Sequence, residues 1–311
     1  MRIPRFERHP ELIAPPAITA RLLDTLSAIN RHVPLSTPYL FRLVCPGTKN
    51  DAGFTDMLQA AYHHGYVDRP NRLNHPKLWG NPMVYRLSDK GKATLKRHGL
   101  ALAPVNVSSH TTHDYMVSCI TASIEIGARS ASYRYIAAGE IVNERKKPFH
   151  IPASVKRRFE YDGEEYNWDF SKPLIPDALF GIDYGSTEGF YVLEADRDTE
   201  DGFSPTITKN SIISKLLRYQ DVMTKRAFES HFDISNLMVL IVTMPRSRVE
   251  FFEELIKRFM RLPMREGGEP GSSYVAITDI PPFSDFYTPP IMSDLFTREW
   301  VRAGTKAFRF G

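Results

Sequence analysis

Between Thr19 and Gly99 the chain changes its hydrophobic period in a set order, and that order restricts the fold more than any other feature. Behind Thr19, a residue able to cap a first turn, Leu22, Leu23, Leu26 and Ile29 recur at helical spacing. Pro34 interrupts the pattern. Ser36 or Thr37 can cap a short helix through Tyr39, Leu40, Leu43 and Val44, which Cys45-Pro46-Gly47 ends in a turn. A third helical stretch runs from about Asp51 to His64, with Phe54, Met57, Leu58 and Ala61 on one side and Gly65 as its stop. Two strand-like runs follow, Tyr66–Arg69 and Met83–Leu87, separated by the loop Pro70–Pro82. Ser88 then caps a last helix through Lys92, Leu95 and Arg97 to Gly99. Three helices, a hairpin and a helix predict a winged helix-turn-helix.

The length, 311 residues, is enough for about two domains with their own cores. The formal charge of +4 conceals a division: residues 1–105 carry 15 Lys/Arg against 7 Asp/Glu, while the remainder carries 25 against 29. Six of the ten histidines also lie in the basic third. A basic third on a mildly acidic body suggests a polyanionic partner, nucleic acid first among them, or else a solvated basic face. The longest apolar run, Leu237–Val242, is far short of a membrane span, which takes about 18 residues. The N-terminus has charge without a following apolar stretch, so no secretory signal is read. Cys45 and Cys119 are too few for a disulfide framework. A soluble protein of a reducing cytoplasm is expected.

If the third helix enters a major groove, its outward side carries Thr55, Asp56, Gln59 and His63. Gln59 and His63 can read base edges, whereas Asp56 would repel phosphates. Arg69, Arg72 and Lys77 on the hairpin, with Lys92 and its neighbours Lys90 and Lys96, would contact phosphates. The alternative is a winged helix used for protein contacts, with these side chains merely solvated.

Pro104 and the polar stretch Asn106–Thr112 form a linker, dividing the chain at 1–104 and 105–311. Beyond it a helix is expected over His113–Arg129 and short strands near Tyr133–Ala137 and Ile141–Asn143. Val155–Tyr161 and Tyr166–Phe170 flank Asp162-Gly163, a hairpin-turn pair. Strands at Ile175–Phe180 and Phe190–Asp196, a helix from Ser211 to about Phe228, a strand at Leu237–Thr243, a helix at Arg248–Leu262 and a strand at Tyr274–Thr278 complete the order. That order predicts a mixed sheet with helices packed on it, an α/β or α+β domain.

Its chemistry lies in Asp177, Glu194 and Asp196. Neighbouring strands would bring Asp177 beside Glu194, and alternation along one strand puts Glu194 and Asp196 on one face. Converging carboxylates repel unless protonated or bridged by a divalent cation, for which Mg²⁺ or Mn²⁺ is the natural guest.

Pro176-Asp177 followed after a turn by Glu194-Ala195-Asp196 resembles the motif of the PD-(D/E)XK nuclease superfamily. The whole chain is similar to the plasmid replication-relaxation family. There a winged helix precedes a helix beginning His-Asp (here His113-Asp114), a Pro-Asp strand, a Glu-x-Asp-x-x-Thr segment (Glu194, Asp196, Thr199) and a Lys-x-x-x-Tyr helix (Lys215, Tyr219). The resemblance covers roughly residues 18–260. It implies a winged-helix domain ahead of a PD-(D/E)XK-like domain, in a DNA-associated protein of plasmids, phages or other mobile elements. Such a protein would work in the bacterial cytoplasm, at the nucleoid or on the plasmid.

The nuclease motif places a lysine two residues after the glutamate, where this chain has Asp196. Lys215 could supply that cation from the next helix, with Lys209 behind it, and Glu125 or Glu140 could complete a metal shell on Asp177 and Glu194. The alternative is a retired nuclease fold whose carboxylates pair with Lys215 and Arg218. Two functions therefore stand side by side: a regulator of replication or transcription whose α/β domain dimerises or positions DNA, and a Mg²⁺-dependent endonuclease. The basic runs Arg145-Lys146-Lys147 and Lys156-Arg157-Arg158 are read either as a DNA track or as solvated hairpin edges. His110-x-x-His113-Asp114 lacks the further ligands that zinc requires. The aromatic tail Phe283–Phe310 either packs back on its domain or forms a dimer contact, and packing is expected.

Overall fold

The structure, a computed structural model, describes residues 7–49, 52–70, 82–103, 111–145, 150–197, 202–204, 211–260, 273–282 and 290–311. The chain forms two compact units, Met1–Glu140 with Phe283–Phe296, and Ile141–Pro282 with Thr297–Gly311. Both mix helix and strand. Among the described residues no helix is long and apolar enough to cross a membrane.

In the first unit α1 (Ala20–Arg31) begins where the Thr19 hydroxyl accepts the Leu22 N–H, and it buries Leu22, Leu26 and Ile29. Strand β1 (Leu35–Ser36) leads directly into α2 (Thr37–Val44), which buries Tyr39, Leu40 and Leu43. Helix α3 (Ala52–His63) turns Phe54, Leu58 and Ala61 inward. Strands β2 (Val67–Asp68) and β3 (Val84–Leu87) pair antiparallel, Val67 opposite Leu87. β1 pairs with the other edge of β3, Leu35 opposite Tyr85, giving the order β1-β3-β2. The Ser88 hydroxyl caps α4 (Asp89–Arg97) by accepting the Gly91 N–H.

Helix α5 (Thr111–Ser130) belongs to this same unit. It packs against α2 and against the 3₁₀ turn Ser293–Phe296. At Gly127 a Cβ would lie 2.4 Å from Phe296 Cβ and 2.6 Å from the Ser293 carbonyl, so the close approach requires glycine. Strand β4 (Arg134–Ala137) then runs into α6 (Ala138–Arg145). The strand expected over Ile141–Asn143 is thus helical. The short apolar run fits either state, and the Glu140 carboxylate, accepting the Ala137 N–H at 2.9 Å, favours a helical first turn.

The second unit opens with the hairpin β5 (Ser154–Tyr161) and β6 (Glu164–Ser171). Its two-residue turn puts Asp162 and Gly163 at φ 53° and 78°, as the type I′ geometry requires. β7 (Ala178–Asp183) and β8 (Glu188–Asp196) are antiparallel. Helices α7 (Ile212–Lys225) and α8 (Ala227–Phe232) carry the chain across to β9 (Met238–Thr243), parallel to β8. Helix α9 (Arg246–Phe259) crosses to β10 (Val275–Asp279), parallel to β9. The order β10-β9-β8-β7 is a mixed sheet. Its central strands read Val192-Leu193 and Val239–Val242 without alternation because both faces are covered. The aromatic tail is divided: Ser293–Phe296 belongs to the first unit, while from Thr297 on the tail packs on this one, where Val301 bridges to Ile277 and Trp300, Phe308 and Phe310 cluster around Tyr191. Phe286 and Tyr287 lie outside the described residues.

Candidate functional site

The carboxylates meet because β7 and β8 are in register, Ala178 opposite Leu193. One residue earlier, the Asp177 N–H donates to the Leu193 carbonyl at 3.0 Å, and Asp177 Oδ2 accepts the Ala195 N–H at 2.8 Å. Asp177 is thereby held against the backbone on either side of Glu194. Alternation along β8 turns Glu194 and Asp196 to the same face, where both line a cavity of about 30 Å³. That is room for about two waters. Ile212, Leu216, Ile241 and Phe252 supply its apolar walls.

Helix α7, capped by the Ser211 hydroxyl on the Ser214 N–H, presents Lys215 and Tyr219 one turn apart to this cavity. Lys215 Nζ donates to Glu194 Oε2 at 3.1 Å and the Tyr219 hydroxyl to Oε1 at 2.5 Å. Burial pushes the Glu194 carboxyl up to about 7; Lys215 opposes the rise and the Asp177 charge adds to it. Burial and the facing carboxylate likewise hold the Tyr219 hydroxyl well above its ordinary range. Asp196 has different partners: its Oδ2 accepts Arg248 Nε at 2.8 Å and the hydroxyl of Thr243, its register neighbour on β9, at 3.2 Å. The structure therefore brings Asp177, Glu194 and Lys215 together, and it ties Asp196 to Arg248. Among the described residues no group of three or more His, Cys, Asp and Glu could hold a metal ion. Thr199 and Lys209 lie outside the described residues.

The two upstream acids considered as further metal ligands are engaged elsewhere. Glu125 on α5 is buried and accepts Arg31 at 2.9 and 3.1 Å, His32 Nε2 at 2.5 Å, and Arg129. Although burial alone would raise it, those cations and the His32 hydrogen bond hold its carboxyl far below the usual range. Burial in turn pushes the His32 ring below its ordinary value. Glu140 caps α6 and pairs with Arg134.

In the first unit Gln59 is half-buried on α3, beside exposed Thr55 and Asp56. His63 is not on that outward side. It is buried, and its Nδ1 accepts the His9 N–H at 2.9 Å, because the segment Arg8–Ile13 lies over the end of α3. His64 bonds the Ile13 carbonyl from the same helix end. Arg69 stacks its guanidinium 3.9 Å from the Tyr62 ring centroid and 5.5 Å from that of Tyr85, which gives it a packing role. Lys92 stays half-exposed beside Asp89. Arg72 and Lys77 lie outside the described residues. Arg42 and Lys49, which helical periodicity did not single out, are exposed around the α2–α3 turn.

The run Lys156-Arg157-Arg158 is a solvated hairpin edge. Lys156 and Arg158 pair across the outer face with Asp169 and Glu165, while Arg157 turns inward to the Phe259 carbonyl at 2.7 Å. Lys146 and Lys147 fall outside the described residues, as do His110 and Gly267–Gly271.

A family model described as replication-relaxation matches residues 26–236, more than half of the chain, and the chain belongs to that family. The match runs from α1 to just before β9, so Arg248 stands beyond it. No curated protein and no solved structure matches the chain.

Proposed function

We propose that this member of the replication-relaxation family is a DNA-binding protein of a mobile genetic element, and that residues 20–97 act as a winged helix in regulating replication or transcription. The observation that carries the reading is the order helix, strand, helix, helix, hairpin, with β1 completing an antiparallel sheet on β3. A helix-turn-helix of this order presents α3 to a major groove and the β2–β3 connection to the backbone. Gln59 would read a base edge, while Arg72, Lys77 and Lys92, joined by Arg42 and Lys49, would neutralise phosphates. The test is fluorescence anisotropy on duplex DNA across a salt series. Binding should weaken linearly in log–log form, and R72A/K77A/K92A should flatten the slope by about 2–3. D177A should leave binding unchanged. No binding at low salt, or equal losses in both variants, would sink the reading.

The convergence of Asp177, Glu194 and Lys215 favours a second reading, a PD-(D/E)XK-like endonuclease dependent on Mg²⁺ or Mn²⁺. Asp177 and Glu194 would fit such an ion: Mg²⁺ commonly takes one or two carboxylates with the rest of its shell from water and phosphate, and the Asp177 charge adds to the rise of the Glu194 carboxyl. When bound, the ion would polarise a phosphodiester oxygen and acidify a water. The chain's own groups would fix the geometry: Tyr219 and Lys215 orient Glu194, and the Ala195 N–H orients Asp177. Supercoiled plasmid should then be nicked with Mg²⁺ or Mn²⁺ and left intact by E194A or by chelator. Nicking that persists in E194A would remove this reading.

A further inference from the structure

Helix α2 ends without a donor that a helix end ordinarily receives from its own chain. Its cap is Cys45, whose N–H returns to the Phe41 carbonyl at 2.8 Å, and the next residue is Pro46. In a common closing motif the N–H after the cap bonds the carbonyl two residues before it, here that of Leu43. Proline has no N–H, so the local chain cannot close this bond. The donor comes from 86 residues further on: Arg129 Nη1, on α5, reaches the Leu43 carbonyl at 2.8 Å. A cation at that place also suits the negative end of the helix dipole.

Arg129 is itself held, since its Nη2 donates to Glu125 Oε1, one turn back on α5. The same carboxylate takes Arg31 at both oxygens and His32 Nε2 at Oε2, so four donors fill its lone-pair sites. Arg31 is the last residue of α1 and His32 its cap. One carboxylate, 1 % exposed, thus ties the ends of α1 and α2 to α5. A buried polar network with every member satisfied holds a single geometry, whatever its net worth in stability. What leaves α2 at this point is the turn that carries α3. Gly47 takes φ 83°, and the Thr48 N–H bonds the Cys45 carbonyl at 3.3 Å before α3 begins at Ala52. We infer that Arg129 is a positioning residue for DNA recognition: seated on Glu125, it bonds the Leu43 carbonyl, sets the end of α2 and so the heading of α3. The inference rests on the reading of α2, the turn and α3 as a DNA-reading helix-turn-helix. The part of the chain that shapes recognition then runs on to α5 and does not end with α4. In this role Arg129 touches no phosphate and acts through the α2 carbonyl.

The test uses the full chain with R129M, which keeps the packing of the stem and removes both donors. R129K is the second variant: it keeps the charge, loses the fork and should act in the same direction. Both are compared with the wild type at a temperature where circular dichroism shows them folded. Two measurements separate positioning from a general loss of stability. In carbon-13 and nitrogen-15 NMR, the Leu43 carbonyl and the amides of Gly47, Thr48 and Gln59 should shift, while those of Thr94 and Leu95 on α4 stay in place. In duplex anisotropy, R129M should bind about tenfold more weakly with an unchanged salt slope, because no phosphate contact is lost. Wild-type signals at Gly47, Thr48 and Gln59 in the folded variants overturn the inference, and so does wild-type affinity. A slope flatter by about 1 would make Arg129 a phosphate contact and overturn it as well. A wild type that binds no duplex would refute the DNA-binding function, while shifts at Gly47, Thr48 and Gln59 would still place the turn under the control of Arg129.

Discussion

Replacing Glu194 with glutamine should stabilise the protein at alkaline pH and leave it nearly unchanged at pH 5. The Glu194 carboxyl titrates near 4.5 in an unfolded chain and near about 7 in the folded one, because burial beside Asp177 outweighs Lys215. Below 4.5 both states hold the proton, and above 7 both have released it. Between those values the folded state binds more protons, so stability falls as pH rises through the window. The full shift corresponds to roughly 3 kcal/mol lost by pH 8.5. Glutamine does not titrate, and its amide can still pair with both Tyr219 and Lys215. The gap between variant and wild type should therefore open by about 2–3 kcal/mol between pH 5 and pH 8.5, a urea midpoint difference of about 1 M. Trp168 and Trp300, both buried in the second unit, report its unfolding by fluorescence. A gap that is the same at both pH values would refute the reasoning, whatever its size.

Four further outcomes follow from other parts of the molecule. G127A, which in an ordinary helix interior stabilises, should instead cost about 1–3 kcal/mol and lower the first unit's melting temperature, since its Cβ meets Phe296 at 2.4 Å. E125A should cost about 3–5 kcal/mol by stranding Arg31, His32 and Arg129. In the wild type the same network should lose stability in two acid stages: below 6.5, where the unfolded but not the buried His32 takes a proton, and below 4.5, where unfolded Glu125 does so. Guanidinium unfolding of both proteins at several pH values checks this. K156A/R158A should leave duplex affinity within error in anisotropy, because both side chains already pair with Asp169 and Glu165.

Much of this was readable in the chain alone, for a physical reason that also marks the limit. Periodicity and capping are local, so α1 to α4, the Asp162-Gly163 hairpin and the shared face of Glu194 and Asp196 followed from spacing and turn chemistry. Lys215 and Tyr219 were pointed to by the resemblance to the family's Lys-x-x-x-Tyr helix, and the fold sets both on Glu194. β1 escaped notice because two residues carry no period; its partner lies fifty positions away. The helical state of Ile141–Asn143 rested on Glu140 reaching back to a backbone N–H, which hydropathy does not encode.

What tertiary structure alone decided is which side chain each charge meets. His63 shares α3's helical period with Gln59, yet a segment 54 residues earlier covers it. Glu125 was an acid without an address until α1 delivered Arg31 and His32 to it. Asp196 looked like a third metal ligand until the fold brought Arg248 from 52 residues further on. A residue's type and spacing determine its local state, because backbone geometry repeats over a few residues. Its ionisation and its partner depend on burial and on contacts that only the closed chain creates.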